Sequence, residues 1–189
     1  MVGRDLTAQF PKVKVPIGEK ILEVKNLTLK GQYEDISFDL HKGEILGFVG
    51  LVGSGRTELM NSIFGLTHPE SGQILLEGKE VKFKGPKDAI KSKLAYVTED
   101  RKQEGLVLPM SVHHNVTLSF LKNFIRHGII QSRKEASIVK EQVKALNIKV
   151  ANVSQTINSL SGGNQQKVVL AKWMITAPKI IIFDEPTRG

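Results

Sequence analysis

Three short stretches carry residue types and spacings from which chemistry can be built. The first is Gly50-Leu-Val-Gly53-Ser54-Gly55-Arg56-Thr57, which follows the apolar run 45–49 and leads into Glu58-Leu-Met-Asn-Ser-Ile63-Phe64. A strand, a glycine-rich turn and a helix N-terminus in that order form an anion cradle. The glycines let backbone N–H groups approach phosphate oxygens, and the helix's free N–H groups and dipole add to the attraction. The spacing matches G-x-x-x-x-G-K-[ST] at every position but one, with Arg56 standing where a lysine is expected. The second stretch is Ser161-Gly162-Gly163, at the head of a helix running through Val168, Val169, Ala171 and Trp173. A hydroxyl and free backbone N–H groups there make a second anion cradle, with plain N-capping by Ser161 as the alternative. The third is Lys179-Ile-Ile-Ile-Phe183-Asp184-Glu185, a wholly apolar strand ending in two carboxylates. At the carboxyl edge of a parallel sheet an aspartate can hold a magnesium ion beside bound phosphates. A carboxylate next to it can polarise an attacking water.

These residues need a scaffold, and hydrophobic periodicity outlines one. Residues 21–27 and 36–40 alternate as half-buried strands do, and 45–49 reads as the strand that carries the first cradle. Two more short strands follow at 73–77 and 80–84, then a short helix from Pro86 to Lys91. Residues 94–97 form a buried strand that empties into a polar loop, 98–105. Ser111 can cap a helix through about Lys122. Ser132 and Glu135 have the spacing of a capping box for a second helix, with Val139, Val143 and Leu146 on one face. The run ending at Phe183 reads as a strand buried on both faces of a parallel sheet. His113 and His114 are adjacent, so they cannot share a helix face for a metal and are read as surface residues; His41, His68 and His127 are isolated.

Composition narrows the class. The 189 residues suit one domain with at most a small appendage, 40% hydrophobic and 24% charged. No apolar run approaches the roughly 18–20 residues of a membrane helix. The first twenty residues carry charges and no apolar core of the signal-peptide kind, which argues against secretion. The absence of cysteine excludes disulfides and thiolate metal sites and fits a cytosolic setting. The net charge of +8 raises nucleic acid as a partner. Lys79, Lys82, Lys84, Lys87, Lys91 and Lys93 nevertheless crowd one segment without interleaved arginines, the pattern of a solvated face.

Taken together, Gly50–Thr57 as Walker A, Leu160-Ser-Gly-Gly-Asn-Gln as the cassette signature and Ile180–Glu185 as Walker B resemble an ATP-binding cassette (ABC) ATPase domain. The signature discriminates, because phosphate loops and Walker B strands occur in many unrelated hydrolases. Tyr96-Val-Thr-Glu-Asp-Arg-Lys102, Leu160-Ser-Gly-Gly-Asn-Gln-Gln-Lys167 and Asp184-Glu-Pro-Thr-Arg-Gly189 are most similar to the second of two fused cassettes in bacterial carbohydrate importers of the ribose, galactose and xylose class.

The resemblance implies an α/β fold: a P-loop NTPase core on a parallel sheet, an antiparallel β subdomain, and a helical subdomain at about 106–160 that carries the signature. Residues 1–18 would be a linker and 19–189 an incomplete cassette, truncated at its C-terminal end. It would lack the aspartate loop and the switch-histidine strand, leaving a gap in the central sheet and no ATP turnover by this piece alone. ATP and magnesium are the implied ligands. Gly50, Gly53, Ser54, Gly55, Arg56 and Thr57 would cradle the phosphates. Thr57, Asp184 and Glu99 would serve the metal, and Glu185, with Arg56 and Glu99, would act in hydrolysis. Ser161, Gly162 and Gly163 would face outward and complete the site of a sister cassette placed head to tail. The further implied partners are membrane permease subunits and, indirectly, a periplasmic or surface sugar-binding protein, with no nucleic acid. The implied location is the cytoplasmic face of the cell membrane. Arg56 and Glu99 depart from the usual lysine and glutamine. Arg56 suggests a second reading, a weakly hydrolytic regulatory cassette; a soluble cassette protein acting on nucleic acid or the ribosome is a third. Tyr33 is the nearest candidate to stack on adenine.

Overall fold

The computed structural model describes residues 14–185, and within it the chain forms two compact units. Most of the expected linker, residues 1–13, lies outside the described residues, as do the last four positions of the chain.

Among the described residues, one unit takes 14–56 and 68–82. Its sheet is antiparallel, in the order β2-β1-β3-β4, with β1 Lys20–Leu29, β2 Tyr33–His41, β3 Ser71–Leu76 and β4 Lys79–Glu80. The central strand β1 buries Ile21, Leu22, Val24 and Leu27, and Ile74 of β3 joins them. Strand pairing sets Val24 opposite both Phe38 and Ile74, so alternate side chains gather on one face. The expected strand at 80–84 shrinks to the two residues of β4. Val81 still donates its N–H to the Ile74 carbonyl at 2.9 Å, and the chain then leaves the ladder. Tyr33 pairs with Leu29 at the hairpin end of β1 and β2 and is only 7% exposed, so its ring is not presented for stacking on a base.

The expected strand at 45–49 does not form. Its residues have no ladder partner among the described residues, and Ile45 and Val49 are each 99% exposed. A strand exists only by pairing, because its N–H and C=O groups alternate outward and must be satisfied by a neighbour or by water. The apolar sequence is therefore intact while its ladder is missing.

The other unit takes residues 57–67 and 83–185 of those described. A two-stranded parallel sheet runs through it, β5 Leu94–Val97 beside β8 Ile180–Phe183. All four residues of β5 are buried. In β8 only Ile180 and Ile182 are, and Phe183 stands 50% exposed. Burial on both faces thus holds for β5 and fails for β8, which has one ladder neighbour among the described residues.

Helix α1 is Arg56–Ile63, and α2 is Pro86–Lys91. The remaining helices are α3 Val112–Thr117, continued by a 3-10 stretch Leu118–Phe124, then α4 Ser132–Ala145 and α5 Gly162–Met174. Between the 3-10 stretch and α4, β6 Ile125–Arg126 pairs with β7 Ile129–Ile130. Val112, Val116, Phe124, Val139, Ile157, Val168 and Val169 are fully or almost fully buried and form the helical core. Ser111 caps α3, its hydroxyl accepting from the His114 N–H at 3.2 Å.

The expected capping box on α4 is absent. Ser132 is the first helical residue, Gln131 is the cap without a side-chain bond, and the buried Glu135 turns inward to His113 Nε2 at 3.3 Å. A carboxylate taken out of water needs a partner, and His113 supplies one. His113 is therefore half-buried and paired, whereas His114 remains exposed as expected. Five of the six crowded lysines are exposed; Lys93 is half-buried and donates to the Thr176 carbonyl at 2.8 Å.

Amide hydrogen exchange checks the strand assignment. Residues 45–52 are expected to exchange within seconds, and Leu94–Val97 to be protected by orders of magnitude more.

Candidate functional site

The first cradle is open on one side and closed on the other. Ser54 N–H donates to the Leu51 carbonyl at 3.1 Å, making a tight turn before α1 begins at Arg56. Gly53 has φ +79°, and a Cβ built there would meet nothing within 4 Å. Gly55 has φ +83°, and a Cβ there would run into the Gln32 carbonyl. Only glycine fits at Gly55, while the space before Gly53 is free for a ligand to approach the backbone. Residues 50–54 are exposed, and a Cβ on Gly50 would lie 2.5 Å from Ser54 Oγ and 3.7 Å from Arg56 Cδ. The Arg56 side chain therefore runs back along the loop. The N-terminus of α1 completes a backbone arrangement suited to phosphate.

Asp184 and Glu185 leave the C-terminal end of β8. The Asp184 N–H donates to the Val97 carbonyl at 2.9 Å, and the Tyr96 hydroxyl donates to Asp184 Oδ2 at 3.2 Å. Burial, with the Asp184 carboxylate adding to it, pushes the Tyr96 phenol well above its ordinary range, so it remains a donor. Val97 is in register with Phe183, so Glu99 and Glu185 each stand two residues beyond the same end of the ladder. Glu185 has φ +43°, the left-handed region that a non-glycine residue enters only at some cost. The three expected metal-serving groups, Thr57, Asp184 and Glu99, are hard oxygen donors, the chemistry magnesium selects. Among the described residues no three His, Cys, Asp or Glu side chains converge as a metal cage. Magnesium typically takes one or two carboxylates and completes its shell with water and phosphate, so this donor set fits it.

The second cradle lies at the head of α5. Its carbonyl makes Ser161 the cap, accepting from the Asn164 and Gln165 N–H groups at 2.9 Å each. The hydroxyl does not cap; it accepts from Asn164 Nδ2 at 3.0 Å, which sets aside plain side-chain capping. Ser161 and Gly163 are exposed, beside an open depression of about 640 Å³ that Lys149, Gln155, Ser159 and Asn164 help to line. Ser161 and Gly163 thus present themselves outward, with Gly162 between them backed by Arg101.

Arg101 stands behind this turn, a residue to which sequence reading assigned no role. Residues 101–105 are not an open loop but a π-helical turn, Arg101–Gly105, whose first N–H groups are capped by the Asp100 carboxylate. Arg101 Nε donates to Gln165 Oε1 at 3.5 Å, and a Cβ on Gly162 would lie 2.8 Å from Arg101 Nη2. Buried Gln165 in turn donates to the Ile157 and Leu160 carbonyls at 3.2 Å each. At the other end of the π-helical turn, Lys172 Nζ donates to the Gly105 carbonyl at 2.5 Å. Burial pushes this ammonium down to about 8. The signal in sequence was a cation inside an otherwise apolar stretch of α5.

A glycine cradle before a helix, a parallel strand ending in paired carboxylates and a second glycine cradle define a phosphate-loop nucleotide-binding fold. The chain belongs to the ABC transporter family, whose model matches residues 33–188. Ribose import ATP-binding protein RbsA 2 of Rhizobium johnstonii is 47% identical over 189 residues, covering 100% of this chain and 37% of the relative. RbsA of Geobacillus kaustophilus is 49% identical over the same length, 38% of that relative. The chain thus spans well under half the length of the curated relatives it matches. Among solved structures, the ATP-binding cassette MJ0796, a dimeric post-hydrolysis state bound to ADP and Pi, aligns with TM-score 0.72 at 22% identity, over 88% of this chain and 75% of that one. CbiO1 from Clostridium perfringens aligns with TM-score 0.73 at 23% identity, over 90% and 67%. These neighbours place the chain in the ABC ATPase fold.

Two stability measurements check the local geometry. Gly53→Ala is expected to cost about 1 kcal/mol through backbone strain alone, and Gly55→Ala distinctly more because of the Gln32 carbonyl, both read by denaturant unfolding. For Lys172 the folded pKa lies below the unfolded one, so between about pH 8 and the ordinary lysine range the unfolded chain holds more protons. Stability therefore rises with pH across that window. The rise of native over Lys172→Met stability is expected to be on the order of 2–3 kcal/mol.

Proposed function

We propose that this cassette is the ATP-hydrolysing part of a sugar importer, bound peripherally at the cytoplasmic face of the cell membrane. The observation that carries the reading is whole-chain similarity, at 47% and 49% identity, to proteins named for ribose import and ATP binding. In this reading the N–H groups of residues 53–57 hold the phosphates, and the Arg56 guanidinium forks onto their oxygens where a lysine would place a point charge. Thr57, Asp184 and Glu99 would hold magnesium, which would supply neutralisation of the phosphate charge. Glu185 orients the attacking water and accepts its proton as the oxygen bonds to the γ-phosphorus and the bond to the leaving diphosphate breaks. Ser161, Gly162 and Gly163, the first and last of them exposed at the head of α5, complete the nucleotide site of a sister cassette set head to tail. Helices within about 106–160 form the helical subdomain. Permease subunits, and through them a sugar-binding protein, are the further partners.

A second reading rests on Arg56: a nucleotide-holding regulatory cassette whose sister does most of the chemistry. Two variants of the native protein, assayed with its permease, test both. Glu185→Gln is expected to keep ATP binding and lower turnover at this site by about 100-fold or more. Unchanged turnover would show that the site is not catalytic. Arg56→Lys is expected to lower turnover if Arg56 is a working part of the site, and a clear gain would favour the regulatory reading.

A further inference from the structure

Tyr96 is 2% exposed, and its ring is held on two levels. It meets Phe64, just beyond α1, edge to face with centroids 5.4 Å apart and planes at 62°. Phe64 in turn meets Trp173 of α5 edge to face, at 5.7 Å and 89°. Such pairs are favourable in themselves, and in a close-packed interior they leave a ring no room to follow a moving neighbour. The only polar atom of Tyr96 is spent on Asp184 Oδ2, at 3.2 Å. The backbone of Asp184 is fixed by the same strand, through its N–H on the Val97 carbonyl. Asp184 is thus held by β5 at two points. One carboxylate oxygen is committed, and the other has no hydrogen-bond partner among the described residues.

From this we infer that Tyr96 is a positioning residue: its hydroxyl fixes the Asp184 carboxylate in one orientation toward a divalent cation, and its ring ties that orientation to α5, the helix headed by Ser161. The inference rests on the ATPase reading, which supplies the cation. Partners that orient a metal-binding carboxylate set both its direction and its basicity, and their loss commonly costs 10- to 100-fold in metal affinity. Phenylalanine at this position would keep the ring contacts and lose only the hydroxyl, so it separates orientation from folding.

The test compares the native protein with Tyr96→Phe. Manganese is the probe, titrated in the presence of ATP and read by electron paramagnetic resonance; ATP binding without metal and the melting temperature are measured beside it. The expected result is manganese affinity weakened by about 10-fold or more, with metal-free ATP affinity unchanged. In an Asp184→Asn background the same substitution is expected to add nothing. Equal manganese affinity in Tyr96→Phe and native protein would overturn the inference while leaving the ATPase reading intact. Native protein that binds neither ATP nor manganese would sink both. Should Tyr96→Phe fail to fold, Phe64→Leu keeps the hydroxyl and loosens the ring; a loss of roughly threefold supports the inference and none overturns it.

Discussion

The parallel pairing of Leu94–Val97 with Ile180–Phe183 is the contact on which the candidate carboxylate site depends. Parallel ladders join segments far apart in sequence, so the loop-closure cost falls on a few hydrogen bonds and the apolar burial beneath them. Four fully buried residues of β5 supply that burial. Every group at the carboxylate end then follows from register. The ladder that ends at Val97 and Phe183 brings Glu99 to the edge where Asp184 and Glu185 emerge, and sets Tyr96 beneath the carboxylate it holds. A slip of one residue would turn Tyr96 to the opposite face and leave the carboxylate unheld.

The helical core serves the second cradle in a different way. There the turn is held by side chains that bond to backbone. Gln165 gathers the carbonyls of Ile157 and Leu160, Arg101 gathers Gln165, and Lys172 gathers the end of the π-helical turn. Buried amides and ammonium groups are costly unless every polar atom finds a partner, so such a network admits few alternative arrangements. Ser161 and Gly163 can stand exposed and still be well placed, because what orients them lies behind them.

Much of this was legible in the sequence wherever local pattern decides it. Alternation placed β1 and β2, glycine spacing placed both cradles, and an apolar run closed by Asp184 and Glu185 placed the carboxylates at a strand end. What escaped were pairings between distant residues. Tyr96 and Asp184 are 88 positions apart, Arg101 and Gln165 are 64, and Lys172 and Gly105 are 67. Periodicity is silent about which side chains such distances bring together. The same reason explains the errors: Glu135 has the spacing of a helix cap and is drawn instead to His113, and Tyr33 has an available ring on paper and buries it in the hairpin. Residues 45–49 show the converse. Their β pattern is unmistakable, yet a pattern supplies no partner, and among the described residues the segment has no ladder.

Trp173 brings an optical consequence. It is the chain's single tryptophan, its indole is 8% exposed, and the ammonium of Lys172 sits 5.0 Å from its ring centroid. A cation over the indole face shifts the energy of its excited state, and that cation loses its proton near pH 8. The chain therefore contains a native fluorophore at the junction of α5 and the aromatic series, its emission tuned by the charge on one buried lysine.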